Sequence, residues 1–181
     1  RIASIAWQHV FGFLSVSSIT KKIPQCVFTV SQPLQEAFLR GYFLGDGTAV
    51  DRGIGFSTSS YDIASGIQYL LSSFGIVASV SKNDSTGVTT EIRGKPCVTK
   101  NPNWRIFISA RADLAKLQNI WSDHENADQV KTKISSQSPS INREFEEIGG
   151  DLMSLPITSI TTCEPTNGNV YVFCVENDEN F

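Results

Sequence analysis

The chain has 181 residues, 40% of them hydrophobic and 18% charged, and a formal net charge of −3. That length suits one ordinary domain or two small ones, the apolar content is that of a packed core rather than a disordered chain, and no apolar run approaches the roughly 20 residues that cross a bilayer. A negative net charge excludes bulk attraction to nucleic acid and leaves only local basic surface for it.

No secretory pattern opens the chain, so an intracellular protein is expected, in the cytoplasm, nucleoid or nucleus. Arg1 stands where an initiator Met would, which reads as a trimmed or excised piece. Cys26, Cys97, Cys163 and Cys174 are scattered, with neither His9 nor His124 beside them. That spacing argues against a zinc site. Cys26 and Cys174 lie in apolar runs and are expected as buried thiols.

In chain order, Ile2, Ile5, Ala6 and Val10 recur at helical spacing, as the last helix of an earlier unit. Lys21-Lys22-Ile23-Pro24 is a connector, because proline disfavours helix in the residue before it. Ser31 is an N-cap candidate with Pro33 in the first turn. Leu34, Phe38 (with Leu39) and Tyr42 then mark a helix running to Gly45. Residues 48–50 and 55–59 read as strands around an Asp51-Arg52-Gly53 turn. Ser60 caps a helix carrying Ile63, Ile67, Leu70, Leu71 and Phe74, and Gly75 stands where a helix end wants positive φ. Residues 76–80, 88–92 and 104–108 read as strands. Leu114, Leu117, Ile120 and Trp121 make another amphipathic helix.

A polar stretch, 122–140, then follows, and its Ser/Pro-rich residues 135–140 read as a loop or linker. Leu155-Pro156-Ile157 and residues 170–175 read as strands of a separate all-β unit, joined by the turn Pro165-Thr166-Asn167-Gly168-Asn169. The boundary is placed near residue 145. The middle is thus an α+β unit with helices on one face of a sheet and the other face free. Residues 82–105 carry Lys82, Arg93, Lys95, Lys100 and Arg105 against Asp84 and Glu91. That pattern fits a basic surface, and equally a solvated hairpin tip.

The chemistry concentrates in Leu39-Arg40-Gly41-Tyr42-Phe43-Leu44-Gly45-Asp46-Gly47. Gly41 and Gly45 share a helical face that a second helix could approach, and the bland alternative is close packing within one domain. Asp46 falls at the negative end of the helix dipole, where a carboxylate is disfavoured. A bound cation would offset that cost; a plain turn would explain the same residues without one.

This stretch resembles the motif of the LAGLIDADG homing endonucleases in the form found inside inteins. Leu39, Gly41, Asp46 and Gly47 match its leucine, first glycine, final aspartate and final glycine. Lys22-Ile23-Pro24, Phe56-Ser57-Thr58-Ser59 and Leu70-Leu71…Phe74-Gly75-Ile76 extend the likeness over about residues 20–135. Val170-Tyr171-Val172-Phe173-Cys174-Val175-Glu176-Asn177 resembles a late block of the intein splicing domain.

The resemblance implies an α+β LAGLIDADG fold, an αββαββα-like repeat with helices packed on one face of a DNA-binding antiparallel sheet, followed by a short all-β intein (Hint-like) segment. Its divisions are 1–30, the end of a preceding repeat and connector; 31–145, the endonuclease repeat; and 146–181, the C-terminal part of the splicing domain. It implies Mg²⁺- or Mn²⁺-dependent double-strand cutting of a long DNA target, with Asp46 as catalytic metal ligand and Lys131 or Lys133 as the basic group near the scissile phosphate. Gly41, Gly45 and Gly47 form the helix-pairing motif. Arg52, Ser57, Lys82, Arg93, Lys95, Lys100 and Arg105 are its DNA-contact candidates.

One carboxylate is half a site. The second is expected from an upstream repeat of the same precursor or from a homodimer mate. The splicing nucleophile and the terminal His-Asn pair that inteins use are absent from the given residues, so splicing is not expected of them. A catalytically inactive DNA-binding or splicing-scaffold module, and a plain α+β domain with a structural Gly-Asp-Gly, are the competing readings.

Overall fold

The computed structural model describes residues 17–92, 94–136, 146–149, 152–157 and 159–169. The expected N-terminal helix, Arg93, Cys174 and residues 170–175 lie outside them. The chain divides into two compact units, 1–140 and 141–181.

In the first unit the order is α1 (Gln25–Thr29), α2 (Gln32–Asp46), β1 (Gly47–Val50), β2 (Gly53–Thr58), α3 (Tyr61–Ser73), β3 (Ser79–Asn83), β4 (Thr89–Ile92), β5 (Lys95–Val98), β6 (Asn103–Ile108), α4 (Arg111–Lys116), α5 (Gln118–Trp121) and α6 (Ala127–Ser135). Four strands form one antiparallel sheet in the order β1-β2-β6-β3. The β4–β5 hairpin is a separate two-stranded insertion between β3 and β6. Apart from that insertion the unit is the expected αββαββα arrangement.

Period-two alternation divides the sheet into two faces. Ile54 and Phe56 of β2, with Ile106 and Ile108 of β6, are fully buried and meet the helices. Thr48, Gly55, Ser57, Arg105, Phe107, Ser79 and Ser81 lie in register on the opposite face, which no helix covers among the described residues. One core joins Leu39 and Phe43 of α2, Ile67, Leu70 and Leu71 of α3, and Leu114, Ile120 and Trp121 of α4 and α5.

The buried stripe of α2 includes the expected Leu39, with Phe38 and Tyr42 packed beside it, but starts one residue later than expected. Gln35, Leu39 and Phe43 are buried, while Leu34 is 58% exposed. Ser31 occupies the N-cap position, yet its hydroxyl makes no capping bond. Ser60 does cap α3: its Oγ accepts from the Ile63 N–H at 3.2 Å and donates to the Lys21 carbonyl at 2.6 Å. Ser60→Ala should therefore cost about 1 kcal/mol of stability and also release the Lys21 backbone. Thermal melting reads the first effect and proteolytic sensitivity of the connector the second.

Gly75 takes φ +69°. Its N–H donates to the Ser72 carbonyl, and the Ile76 N–H donates to that of Leu71, which completes a Schellman motif. That motif explains a correction. The strand expected at 76–80 begins only at Ser79, because the Ile76 N–H is already committed to closing the helix.

Other departures have equally local causes. The expected helix over 114–121 is two short ones that meet at Leu117 (φ −93°, ψ 16°). Trp121 Nε1 donates to the Leu114 carbonyl at 2.8 Å and braces the two together. The polar stretch after it contains α6, signalled only by Ala127, Val130 and Ile134 at helical spacing. Cys26 is exposed rather than buried.

The second unit holds a hairpin of β7 (Glu146–Gly149) and β8 (Leu152–Ser154) with an irregularity between Glu147 and Gly149. Leu155-Pro156-Ile157 is not a strand, in keeping with a proline that cannot donate to a ladder. The turn expected at 165–169 is present, with Asn167 and Gly168 at φ 58° and 71°.

Candidate active site

The site is built where α2 stops. Asp46 is the last residue of α2, and β1 begins at Gly47. No basic residue lies in the last turn of α2, so the exposed Asp46 carboxylate sits at a negative pole that the helix itself does not compensate. Gly47 has an ordinary extended backbone (φ −83°, ψ 167°). It is required for space: a Cβ there would lie 2.2 Å from the Phe43 carbonyl oxygen and 2.4 Å from the Phe43 ring. The helix can thus hand Asp46 directly to the sheet only through glycine.

Gly41 and Gly45 behave in the opposite way. Among the described residues a Cβ on either would meet nothing within 4 Å. Close packing against the described residues therefore does not account for them. With the exposed Leu34, Ala37 and Leu44 they form a smooth, uncharged stripe on the outer face of α2. Arg40 borders it and pairs with Asp123; both side chains are about half exposed, so the pair adds little stability.

Asp46 lines a groove of about 300 Å³ together with Ser18, Lys21, Tyr42, Ser57, Thr58, Ser59, Ile63 and Asn103. The Tyr42 hydroxyl donates to the Ser57 carbonyl at 3.1 Å. Burial raises the Tyr42 pKa, the Asp46 charge raises it further, and a bond with Thr58 partly opposes them. Tyr42 thus stays protonated and ties the end of α2 to β2. Lys21 is the basic residue lining this groove, and its backbone is anchored by Ser60. Sequence reasoning missed Lys21 by reading it only as part of a connector, beside the Lys22-Ile23-Pro24 that carries the likeness. The signal available was a lysine in the segment that resembles the family just before the motif helix.

The other candidates fall elsewhere. Lys131 is exposed on α6 and bonded to Asp128 at 2.8 Å. Lys133 Nζ donates to the Arg52 carbonyl at 2.5 Å, at the β1–β2 turn and so at the opposite end of β1 from Asp46. Neither lines the groove. Ser57 and Arg105 are register partners on the uncovered face. The Arg105 guanidinium packs over the Phe107 ring at 4.5 Å, in space left by Gly55.

Lys82 pairs with Trp104 on the helix-side face, with its ammonium 5.9 Å from the indole centroid and 3.6 Å from Asp84. Lys95 and Lys100 are exposed on the β4–β5 hairpin and just beyond it.

Oxygen donors dominate the groove, which suits a hard cation such as Mg²⁺ better than zinc or copper. Among the described residues no three His, Cys, Asp or Glu side chains cluster to make an all-protein metal cage. One carboxylate with room for phosphate and water is nevertheless the usual way Mg²⁺ is held, so the residues fit such an ion as a partial site. Among the described residues no helix is long and apolar enough to cross a membrane.

The chain is similar along its whole length to three DNA polymerases. Identity is 25% over 207 residues with that of Thermococcus hydrothermalis, 27% over 206 with that of Thermococcus kodakarensis, and 31% over 206 with that of Thermococcus sp. strain GE8. It spans 11% of the length of each. The family described as LAGLIDADG-like domain matches residues 33–121, which take in the motif helix, the four-stranded sheet and the helices up to Trp121. Residues 33–121 are a LAGLIDADG-like domain.

Proposed function

We propose that this chain is one half of an intein-type DNA endonuclease, cutting phosphodiester bonds with a divalent metal at Asp46. The observation that carries the reading is the end of α2. An exposed, dipole-disfavoured carboxylate stands beside a glycine face that none of the described residues fills. Both features make sense if a second motif helix packs on Gly41 and Gly45 and brings a second carboxylate alongside. That helix belongs either to an upstream repeat or to a second copy of this chain. A likeness to 11% of each polymerase is what an element inserted in a longer host would give, and residues 146–181 would be the splicing part of that element.

Each side chain then has a task. Asp46 supplies the oxygen ligand. Lys21 faces the developing charge from the same groove, where a fixed cation stabilises a transition state without reorganising. Tyr42 holds Asp46 in register with β2. The uncovered sheet face, with Ser57 and Arg105, lies along the duplex, where strand side chains reach base edges. A bound Mg²⁺ or Mn²⁺ supplies Lewis-acid polarisation of the phosphate and activation of water.

The test is nicking of supercoiled plasmid with and without Mg²⁺, repeated with Lys21→Met. Cleavage should fall by about 10²-fold or more, as expected when a charge-stabilising donor is lost, while DNA retention on a filter stays near wild type. Unchanged cleavage would remove Lys21 from the site. Retention without any cleavage by the wild-type chain favours an inactive DNA-binding scaffold, and no retention at all leaves a plain α+β domain.

A further inference from the structure

A second cluster of charge lies at the other end of β1. The β1–β2 turn carries Asp51 and Arg52, and Gly53 follows with φ +144°. Gly53 is pressed against the end of β6: a Cβ on it would lie 2.0 Å from the Ile108 carbonyl oxygen and 3.1 Å from the Ser109 Cα. Ile54 pairs with Ile108. The register therefore sets Arg52 level with the two-residue link from β6 to Arg111, the first residue of α4. From a third side α6 packs on α4, β1 and β2 and places the Lys133 ammonium 2.5 Å from the Arg52 carbonyl.

Three basic residues from three elements thus converge on one corner of the sheet, with Asp51 near Lys133 among the described residues. Burial lowers the Lys133 pKa; the charges of Arg111 and Arg52 lower it further, and Asp51 only partly opposes them. Basic groups brought to one corner from separate elements suit a phosphate oxygen. The fold keeps them in place with a glycine that no larger residue can replace and a backbone hydrogen bond.

We propose that Arg52, Lys133 and Arg111 form a phosphate-binding corner that grips the DNA backbone away from the cut. This rests on the DNA reading above and reassigns Lys133 from the cleavage step to strand positioning. β1 has four residues, so the corner lies about 15 Å from Asp46 at 3.3 Å per residue. With one phosphate per 3.4 Å of each strand, that is roughly four or five phosphates from the scissile one. The grip is blind to base identity and fixes how far along the duplex the uncovered sheet face lies.

The test uses the 181-residue chain, double-stranded DNA of mixed sequence, and binding measured across a salt series. The double variant Arg52→Gln/Lys133→Gln should bind every duplex more weakly, and its slope of log affinity against log salt should be shallower by about 1. Lys131→Gln, on the same helix but bonded to Asp128, should match wild type. Lys133→Arg keeps the charge and should keep the slope, which separates a lost phosphate contact from a damaged fold; circular dichroism melting reports the latter directly.

Inorganic phosphate gives the second arm. It should raise the Tm of wild type but not of the double variant. A stabilising effect of phosphate with no change in DNA slope would mean a free-anion site and overturn the DNA assignment. Equal slopes with no phosphate effect would overturn the site altogether. A wild-type chain that binds no DNA would instead remove the reading on which the proposal stands.

Discussion

Asp46→Asn should abolish metal-dependent cleavage while making the chain slightly more stable. The amide keeps the shape of the carboxylate but is a poor ligand for Mg²⁺. Losing metal-based stabilisation worth several kcal/mol lowers the rate by about three orders of magnitude. The stability change has the opposite sign for a separate reason. Asp46 closes α2 at the negative pole of its dipole, without a basic residue in the last turn. Neutralising it should therefore return about 0.3–1 kcal/mol. Plasmid nicking and thermal melting, run on the same two proteins, read both effects. Cleavage that survives the substitution would show that the metal is held elsewhere. A large drop in Tm would show that Asp46 serves the fold.

The three motif glycines should respond to substitution in opposite directions. Gly47→Ala drives a methyl into the Phe43 carbonyl and ring. Phe43 is fully buried against Phe56 at 5.4 Å and cannot retreat. A loss of about 2–3 kcal/mol is expected, which for a chain of this size is roughly 5–10 °C in Tm. Gly41→Ala and Gly45→Ala place their methyl groups where none of the described residues comes within 4 Å. Each should hold or raise the stability of the isolated chain, by up to about 1 kcal/mol of helix propensity.

The bulkier Gly41→Leu then separates fold from pairing. The chain should melt no lower than wild type, yet lose cleavage because a second helix cannot seat. If self-pairing supplies the second half of the site, sedimentation should show the dimer lost with it. Full cleavage by Gly41→Leu would mean that this face is not a pairing surface.

Much of this architecture was written in local patterns. The Ser60 cap, the Gly75 helix end, the apolar spacing of α3 and the strands on either side of Asp51 and Arg52 involve residues within a few positions of one another. Such features are decided by backbone sterics and hydrogen bonding that neighbours alone control. The motif helix and its family likeness were legible for the same reason, since nine contiguous residues carry them.

The misreadings share a cause in competition. Ile76 could join a strand or close a helix, and its N–H closed the helix. Leu34 and Gln35 could each have faced the core. The path of α2 over the sheet, where the fully buried Leu39 and Phe43 set the inward face, left Leu34 in solvent. Helix α6 was hidden because its apolar signal is only Ala127, Val130 and Ile134 in an otherwise polar run.

The sequence alone determined that Asp46 ends a helix and that this helix carries glycines on one face. It could not determine whether those glycines are filled from within, which side chains stand around Asp46, or what Lys133 touches. Each of these depends on residues distant along the chain: Lys21 held by Ser60, Tyr42 bonded to the Ser57 carbonyl, and Lys133 at the Arg52 carbonyl. Contacts across tens of residues are set by strand register and helix packing, which a local pattern does not encode. Tertiary structure therefore brought Lys21 to the groove that Asp46 lines and moved Lys133 to the far end of β1.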